Sequence, residues 1–474
     1  MLINFSSVQQ YLMRKHNLPS IAFAFSFLVV CTQASLIEQP NNREEETEFA
    51  TSSSHTSSSY RQTIFPITSA VEIWGSILLM FAAALCNTGG LAGRPILLAV
   101  LIMIFNYSAT YAIQVVYSLV FGASLGNFIN VVGRRDPITK KPLIEYNLAL
   151  ICMPTMLLGA TFGIILNRMA CRLLTILGIM TVALVGLNNL VRGARKIYIE
   201  ENKLPEEGST IHPSLSPEMA YLTYPMNKST GGDVVDLRLS LYYNEERQIF
   251  PIKKVGMLLL SIGLMIVIAL SRGTQMFESI IGVAYCSAVY WGVVCSTILA
   301  CLIMFFLNRK MLMPSLELKK MHNITSTQSR FELAEEHLRT MPILSLMGGI
   351  FSGFFGIGGG MSPALMDVGV PPRSIGPTAG FLILQTSFVS LFQSFLYEEI
   401  SLRDQGFFFL ISVVGSFGVS ALLRWLVKKF KRPSLLTYTR VIVLILMLIT
   451  IPMYAVITDI DDLGQLLQFN APCS

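Results

Sequence analysis

The stretch GGIFSGFFGIGGGMSP, residues 348–363, decides the fold because it sets a glycine cluster and a proline inside a largely apolar region. A glycine in a helix interior costs about 1 kcal/mol relative to alanine, so the glycine run 358–360 predicts that the helix unwinds. Pro363 suits the first turn of the next helix, whose free N–H groups and positive dipole end attract anions. The alternative is that such glycines only let helices pack closely, the role that we expect for Gly159 and Gly163.

A second, looser break is predicted in residues 87–95, which read Asn87-Thr88-Gly89-Gly90-Leu91-Ala92-Gly93-Arg94-Pro95. The apolar segments that begin near Pro95 and Pro363 are only about ten residues long. At 1.5 Å per residue, they are too short to cross a bilayer core of about 30 Å. Short helices after glycine clusters are typical of the discontinuous helices that bind substrates in secondary transporters.

The composition of the chain predicts a membrane protein. Of its 474 residues, 53% are hydrophobic and only 14% are charged, well below the charged fraction of water-soluble domains. The formal net charge of +6 does not indicate nucleic-acid binding, because Lys and Arg are scattered over short connectors. We therefore predict an all-α, multi-pass protein with about 10–12 transmembrane segments in the lipid bilayer of the plasma membrane or an endomembrane. The apolar segments lie at about 67–87, 95–105, 108–131, 147–167, 171–192, 254–271, 280–307, 341–355, 361–370, 375–397, 406–427 and 437–458.

The first 35 residues have the layout of a secretory signal peptide. Arg14 and Lys15 precede the apolar run 21–31, and small residues follow it. The alternative is an uncleaved signal anchor, although a run of about 11 residues is short for a span of about 20. Residues 36–66 contain consecutive glutamates and serine clusters that are too polar to bury a core, and they predict a disordered lumenal or extracellular segment.

Two related halves are predicted from an internal repeat. Placing Pro95 on Pro363 without gaps aligns Thr110 with Thr378, and the order of segments agrees over about 100 residues per half. If each short segment completes a crossing, the two halves enter from opposite sides, as the inverted repeats of many secondary transporters do. The predicted organisation is a first repeat at 67–192, a cytoplasmic loop at 193–253, two linking helices at 254–307, a second cytoplasmic loop at 308–340, a second repeat at 341–458 and a short tail at 459–474.

The orientation is predicted from Lys and Arg, which accumulate in cytoplasmic connectors. If each short segment completes a crossing, four basic connectors fall on one, cytoplasmic side: 132–145, 193–253, 308–340 and 428–432. Arg168 and Arg172 fall on the opposite side and count against this orientation. A re-entrant path of the short segments would change the parity and remove the argument.

Two charges stand beside the predicted breaks. Arg94 lies between apolar segments, where it either binds an anionic substrate or snorkels to a lipid headgroup. Asp367 either takes up a proton during transport or pairs with Arg94 or Arg373. Uncharged donors near the breaks either contact the substrate or form interhelical hydrogen bonds. The residues predicted to bind substrate are Gly89, Gly90, Gly93, Arg94, Thr110, Gln114, Gly356, Gly358, Gly359, Gly360, Ser362, Thr378 and Gln385, with Pro95 and Pro363 opening the two short helices.

The reactive side chains argue against an enzyme. All five histidines lie outside the apolar runs, so no intramembrane histidine can activate Ser362 or hold a metal ion. An intramembrane aspartyl protease needs two facing carboxylates, and beyond Asp367 only Glu72 is a candidate. We therefore predict a non-enzymatic protein without cofactor or metal.

The cysteines do not predict a disulfide framework. In or beside apolar runs, a thiol behaves as a small hydrophobic group. Six cysteines are of this kind: Cys86, Cys152, Cys171, Cys286, Cys295 and Cys301. We therefore expect free thiols at these positions.

The two glycine-break-proline units resemble the repeated motif of the sulfite exporter TauE/SafE family, above all the run 356–360 leading into Pro363. The run 142–150, PLIEYNLAL, is similar to the branch of this family found in plants and protists. The resemblance spans about residues 67–458. Further similarities to this branch are Pro154, Leu157-Leu158-Gly159, Gly163, Asn167, Cys286, Tyr290-Trp291 and Gly369-Val370-Pro371-Pro372.

The resemblance implies a multi-pass transporter that moves sulfite, sulfonates or related sulfur-containing anions outward. The first unit departs from the family pattern, because Leu91-Ala92 and Arg94 stand where a denser glycine run is typical. This departure leaves the anion itself open. The alternative hypothesis is a membrane receptor or scaffold that uses the fold without transport.

Overall fold

The computed structural model of the chain describes residues 64, 69–136, 141–203, 245–272, 279–284, 286–321, 333, 335–355, 365, 368–397, 401–430 and 434–459. The signal peptide predicted for residues 1–35 lies outside the described residues. Eleven helices of twelve or more residues form this part of the chain: α1 Ala70–Thr88, α2 Arg94–Phe105, α3 Ala109–Val132, α4 Tyr146–Met169, α5 Arg172–Lys203, α6 Ile252–Arg272, α7 Ala288–Met321, α8 Glu335–Phe355, α9 Pro372–Tyr397, α10 Leu402–Phe430 and α11 Ser434–Asp459.

The apolar helices account for the predicted membrane fold. Among the described helices, eight are long and apolar enough to cross a bilayer: α1, α3, α4, α5, α6, α7, α9 and α10. Helices satisfy their own backbone hydrogen bonds, which the hydrocarbon interior requires. α2 is an apolar helix of only 12 residues, as predicted for the segment that opens with Pro95. The prediction of an all-α, multi-pass membrane protein is therefore confirmed.

α1 and α2 form an antiparallel hairpin. Gly75, early in α1, faces the end of α2, where an added Cβ would lie 2.8 Å from Ile104 Cγ2 and 3.0 Å from the Phe105 ring. The missing side chain lets the two helices approach closely at this point. α2 therefore returns to the side on which α1 starts.

The starts of α1, α3 and α10 lie together at one end of the bundle, which we call the Asp404 end. Asp404, in the first turn of α10, accepts hydrogen bonds from the Ile64 backbone N–H at 2.9 Å and the Tyr111 hydroxyl at 2.6 Å. Ile64 precedes α1, and Tyr111 belongs to the first turn of α3. Phe105, the last residue of α2, packs edge-on against Phe408 of α10 with ring centroids 5.9 Å apart. α2 thus also ends here.

The opposite end, which we call the Glu145 end, holds the starts of α4, α8 and α9. The backbone N–H of Glu145, just before α4, donates to Thr378 Oγ1 in α9 at 3.1 Å. Early in their helices, Cys152 Sγ of α4 and Met341 Sδ of α8 lie 3.9 Å apart. These three helices therefore begin on one side and run toward the Asp404 end.

The described parts of the basic connectors lie at the Glu145 end. Lys141, in the connector after α3, forms an ion pair with Glu246, just before α6, at 2.5 Å. Asn308, in the second half of α7, donates to the Leu150 carbonyl near the start of α4 at 2.8 Å. α10 starts at the Asp404 end and therefore ends here as well. The helix ends that carry these connectors share one side, and the assignment of that side to the cytoplasm stays a prediction.

Glycines form the closest helix crossing. α4 and α8 meet at Gly159 and Gly349, where an added Cβ on Gly159 would lie 3.0 Å from Gly349 Cα and overlap the Leu346 carbonyl. Gly163 meets Gly353 in the same way, at 2.9 Å from its Cα. These contacts agree with the packing role that the sequence predicts for Gly159 and Gly163.

Helices of the two predicted halves pack against each other. α8 of the second half packs on α4 of the first, and α10 of the second half packs on α1 of the first. Gly415 of α10 approaches α1 so closely that an added Cβ would lie 2.8 Å from the Met80 carbonyl oxygen. α3 packs on α9 and α5 on α11, which are pairs of equivalent helices. Related halves would produce this reciprocal pattern, and the inverted repeat stays a prediction.

In the linking region, the bounds of the second helix differ from those of the predicted apolar segment at 280–307. α7 begins only at Ala288 and continues to Met321, within the predicted loop. The residues before it form turns, and Cys286 has a φ of +60°. The helix extends beyond residue 307, where the apolar run ends, because Leu312 still packs in the core against residues of α4 and α8. Leu312 is only 2% exposed.

The prediction of six free thiols is wrong at one position. Cys286 is disulfide-bonded. It lies in the turn between α6 and α7 at the Asp404 end, outside the helices, where a second segment can reach its sulfur. The other five cysteines of that set are free: Cys86, Cys152, Cys171, Cys295 and Cys301.

Candidate functional site

The chain turns between α1 and α2 in residues 89–93, at the first predicted break. Gly90 and Gly93 have φ values of +74° and +63°, a conformation that residues with a Cβ rarely adopt. Pro95 lies in the first turn of α2, as expected for a residue without a backbone N–H. The turn is enclosed by protein, since Leu91 is only 2% exposed. We call residues 89–93 the glycine turn.

An arginine from the second half reaches the glycine turn. Arg440 of α11 is 1% exposed and donates through Nε to the Gly89 carbonyl oxygen at 2.9 Å. Gly376 of α9 lies beside both groups, because an added Cβ there would be 3.4 Å from Arg440 Nη2 and 3.0 Å from the Thr88 carbonyl oxygen. A guanidinium offers five N–H donors in a planar fork that suits oxyanions. The second half thus places a buried cation at the break of the first half.

Two further polar groups lie beside Arg440 and the turn. Thr437 is fully buried one turn before Arg440 on the same face of α11, and its hydroxyl has no hydrogen-bond partner in the described part of the chain. Asn87, at the end of α1, donates to the Val120 carbonyl at 3.3 Å, while its Oδ1 likewise has no partner among described residues. Gly380 of α9 approaches this oxygen. Buried polar groups without partners cost about 1–3 kcal/mol each, which a bound ligand or water recovers.

Arg94 opens α2 directly after the glycine turn. Its guanidinium carbon lies 5.2 Å from the centre of the Tyr117 ring in α3, a distance at which the ring attracts a cation. Arg94 Nε is buried and has no acceptor among the described residues. The contact with Tyr117 holds the guanidinium against α3, and the role of Arg94 in binding a substrate stays a prediction.

The other predicted site residues of the described chain lie on α3 and α9. Thr378 accepts from the Glu145 backbone and so closes the start of α4. Gln114 and Gln385 are each 5% exposed, and Gln385 Oε1 has no hydrogen-bond partner among described residues. Thr110 lies in the first turn of α3.

The second predicted break lies outside the described residues. This applies to Gly356, Gly358, Gly359, Gly360, Ser362, Pro363 and Asp367. The described site is therefore the glycine turn with its surrounding helices.

Arg440 was not among the residues predicted from the sequence. It is a single arginine inside the apolar segment 437–458, and a charge in such a segment is costly unless it faces a partner or cavity. That argument, which was applied to Arg94, would have singled out Arg440 as well. Its position at the glycine turn depends on contacts between distant helices.

The chemistry of the site suits a small anion. Arg94 and Arg440 supply positive charge, and Thr437 supplies a hydroxyl donor. Among the described residues, no group of three or more His, Cys, Asp or Glu side chains could hold a metal ion. An oxyanion can accept hydrogen bonds from guanidinium and hydroxyl groups together.

Comparison with curated proteins extends over most of the chain. It is 25% identical over 422 residues to Sulfite exporter TauE/SafE family protein 1 of Arabidopsis thaliana, covering 85% of this chain and 88% of that protein. It is also 25% identical over 436 residues to family protein 2 of the same plant, covering 88% and 90%. The chain resembles the sulfite exporter TauE/SafE family. The plant-type branch fits, as the motifs around residues 142–150 predicted.

Two other comparisons found no match. No family model matches the chain, and no solved structure matches it. The resemblance to the TauE/SafE family therefore depends on the curated plant proteins and on the motifs.

Proposed function

We propose that this protein is a membrane transporter that exports small sulfur-containing anions such as sulfite or a sulfonate. One observation carries the proposal: Arg440, buried in the second half, reaches the glycine turn of the first half. A guanidinium presents planar N–H donors that suit an oxyanion, and a transported anion would accept hydrogen bonds from them. The plant relatives, which are named sulfite exporters, support a transporter and not an enzyme.

The anion would bind at the glycine turn, beside Arg440. Arg440 would donate to its oxygens from one side, and Arg94, held over Tyr117, would attract it from the start of α2. Thr437 would add a hydroxyl donor. The glycines at 376 and 380 leave space beside the turn that a side chain would fill. Anion export also needs no obligatory coupling ion, because a negative cytoplasm favours exit by about 2.3 kcal/mol per charge per 100 mV.

Competition between anions tests the substrate class. Vesicles that contain the purified protein are loaded with labelled sulfite. Efflux of the label is then measured with unlabelled sulfite, sulfate or a small sulfonate as competitor. We expect unlabelled sulfite and at least one of the other two sulfur oxyanions to reduce the efflux of labelled sulfite. A receptor or scaffold on the same fold would give no flux above protein-free vesicles.

We also propose that the Glu145 end faces the cytoplasm. Basic connectors accumulate on the cytoplasmic side. The disulfide of Cys286 lies at the Asp404 end, and disulfides form in lumenal or extracellular compartments. These two independent features favour the same orientation. They also place the predicted segment 36–66 outside the cytoplasm, since α1 starts at the Asp404 end.

Glycan mapping tests this orientation. Asn227-Lys228-Ser229 and Asn323-Ile324-Thr325 are acceptor sequences in the connectors assigned to the cytoplasm, so we expect both to be unmodified. The variant Thr51→Asn creates an acceptor in segment 36–66 and should gain a glycan. A glycan on Asn227 in a mass spectrum, with none on the engineered site, would reverse the orientation.

The variant Gly93→Ala tests the role of the glycine turn. An added Cβ would overlap the Cys86 side chain, lying 2.6 Å from its Cβ, at a residue with a φ of +63°. We expect anion flux to fall several-fold. Gly282→Ala is the matched control, because Gly282 has a φ of +74° but open space around it. Both variants carry the backbone strain, so an equal effect on flux would show that strain and not the turn is responsible.

A further inference from the structure

Asp404 is a buried carboxylate at the end opposite the basic connectors. It is 1% exposed and lies in the first turn of α10. Its Oδ2 accepts both hydrogen bonds, from Ile64 N at 2.9 Å and from Tyr111 Oη at 2.6 Å. Its Oδ1 has no hydrogen-bond partner in the described part of the chain. Oδ2 of this carboxylate therefore accepts two hydrogen bonds, whereas the bare Oδ1 accepts none from the described residues.

The surroundings of Asp404 are apolar, with a second polar group that lacks partners. Ile64 and Phe408 are fully buried in the same cluster. Gln405 is 3% exposed, and neither its Nε2 nor its Oε1 has a hydrogen-bond partner among described residues. Tyr107 packs edge-on against Tyr111 with ring centroids 5.0 Å apart. This end of the bundle thus encloses polar atoms that the described chain does not satisfy.

No basic side chain of the described chain pairs with Asp404. The titratable and charged groups on the neighbouring elements are Tyr111 of α3, Tyr107 before it, Glu72 in the first turn of α1 and the exposed Arg403 beside Asp404. Of these, Tyr111 alone contacts the carboxylate. Among the described residues, the carboxylate thus accepts two hydrogen bonds and has no basic side chain paired with it.

Asp404 lies among apolar side chains, where a charged group is costly unless it is paired. The bare Oδ1 is the atom of this carboxylate to which a proton could add. Ionisable groups inside membrane proteins commonly serve proton transfer.

We propose that Asp404 is a proton-binding site of the transport cycle. One proton from the aqueous phase at the Asp404 end adds to Oδ1 and leaves by the same route. Loss of the negative charge weakens the bonds that Oδ2 accepts from Ile64 and Tyr111, since bonds to a charged acceptor are stronger. Those bonds join α10 to α3 and to the residues before α1. Protonation therefore loosens this end of the bundle, and its coupling to flux rests on the proposed function.

Infrared difference spectroscopy across pH tests the site without any transport. The wild-type protein should show a protonated-carboxyl C=O band that Asp404→Asn removes. Glu335→Gln, an exposed carboxylate paired with Arg339, is the control and should keep the band. Tyr111→Phe removes one donor and should shift the band. An undiminished band in Asp404→Asn, or its loss in Asp367→Asn instead, would overturn the proposal.

Sulfite efflux under a pH gradient tests the coupling. Acidifying the solution at the Asp404 end should change the wild-type rate, and Asp404→Asn should lose this response entirely. A full response in Asp404→Asn would reject the coupling. If wild-type protein shows no flux, the proposed function fails, and the infrared band still decides whether Asp404 binds a proton. If Asp404→Asn does not fold, an unshifted band in Tyr111→Phe overturns the site.

Discussion

Gly159→Leu is expected to destabilise the protein by about 3 kcal/mol or more, because overpacking a tight contact typically costs 1–3 kcal/mol and backbone atoms cannot rotate away. At this crossing, the new side chain would meet the Leu346 carbonyl and the Gly349 Cα of α8. Thermal unfolding of the detergent-solubilised protein, followed by the loss of the monodisperse species, measures the effect.

The matched control is Gly256→Leu in α6. An added Cβ at Gly256 meets nothing within 4 Å, and leucine has a better helix propensity than glycine. Its midpoint temperature should be equal to or above that of the wild type. Equal losses in the two variants would contradict the packing account of the α4–α8 crossing.

Arg440→Gln is expected to reduce sulfite efflux at least tenfold, which corresponds to about 1.4 kcal/mol of lost interaction. Glutamine is uncharged and cannot supply the guanidinium fork beside Gly89. The efflux rate of Arg440→Lys should lie between those of the wild type and Arg440→Gln, because lysine keeps the charge but not the planar donors. The rates are measured in vesicles that contain equal amounts of protein.

Arg339→Gln is the control for loss of a positive charge. Arg339 is exposed and pairs with Glu335 at 3.5 Å, so its removal should leave efflux unchanged. Thermal midpoints of both variants distinguish loss of function from loss of folding. Wild-type efflux in a folded Arg440→Gln variant would show that Arg440 only closes the end of α1.

Much of the fold follows from local sequence signals. Runs of apolar residues give the helices, and the cluster from Gly89 to Gly93 ends α1, because its positive φ values suit glycine and Pro95 can begin α2. The packing of Gly159 and Gly163 was also predicted, because small residues let membrane helices approach. These signals need no knowledge of distant residues.

The candidate site depended more on tertiary contacts. Arg440 lies about 350 residues from Gly89 in the chain, and no local pattern indicates that they meet. Thr378 was predicted either to contact the substrate or to form an interhelical hydrogen bond, and its hydroxyl accepts from Glu145 across a helix contact. Cys286 looked like a buried thiol because apolar composition does not reveal where α7 starts. Pairing between distant segments decided all three cases.

The measurement that tests the central claim most directly is efflux of labelled sulfite from vesicles in which the Glu145 end faces the lumen. The account predicts that wild-type protein empties these vesicles faster than protein-free ones. It also predicts that an inside-negative potential increases the rate, and that the folded Arg440→Gln variant loses this flux. Efflux from wild-type vesicles equal to that from protein-free vesicles, with or without a potential, would contradict it.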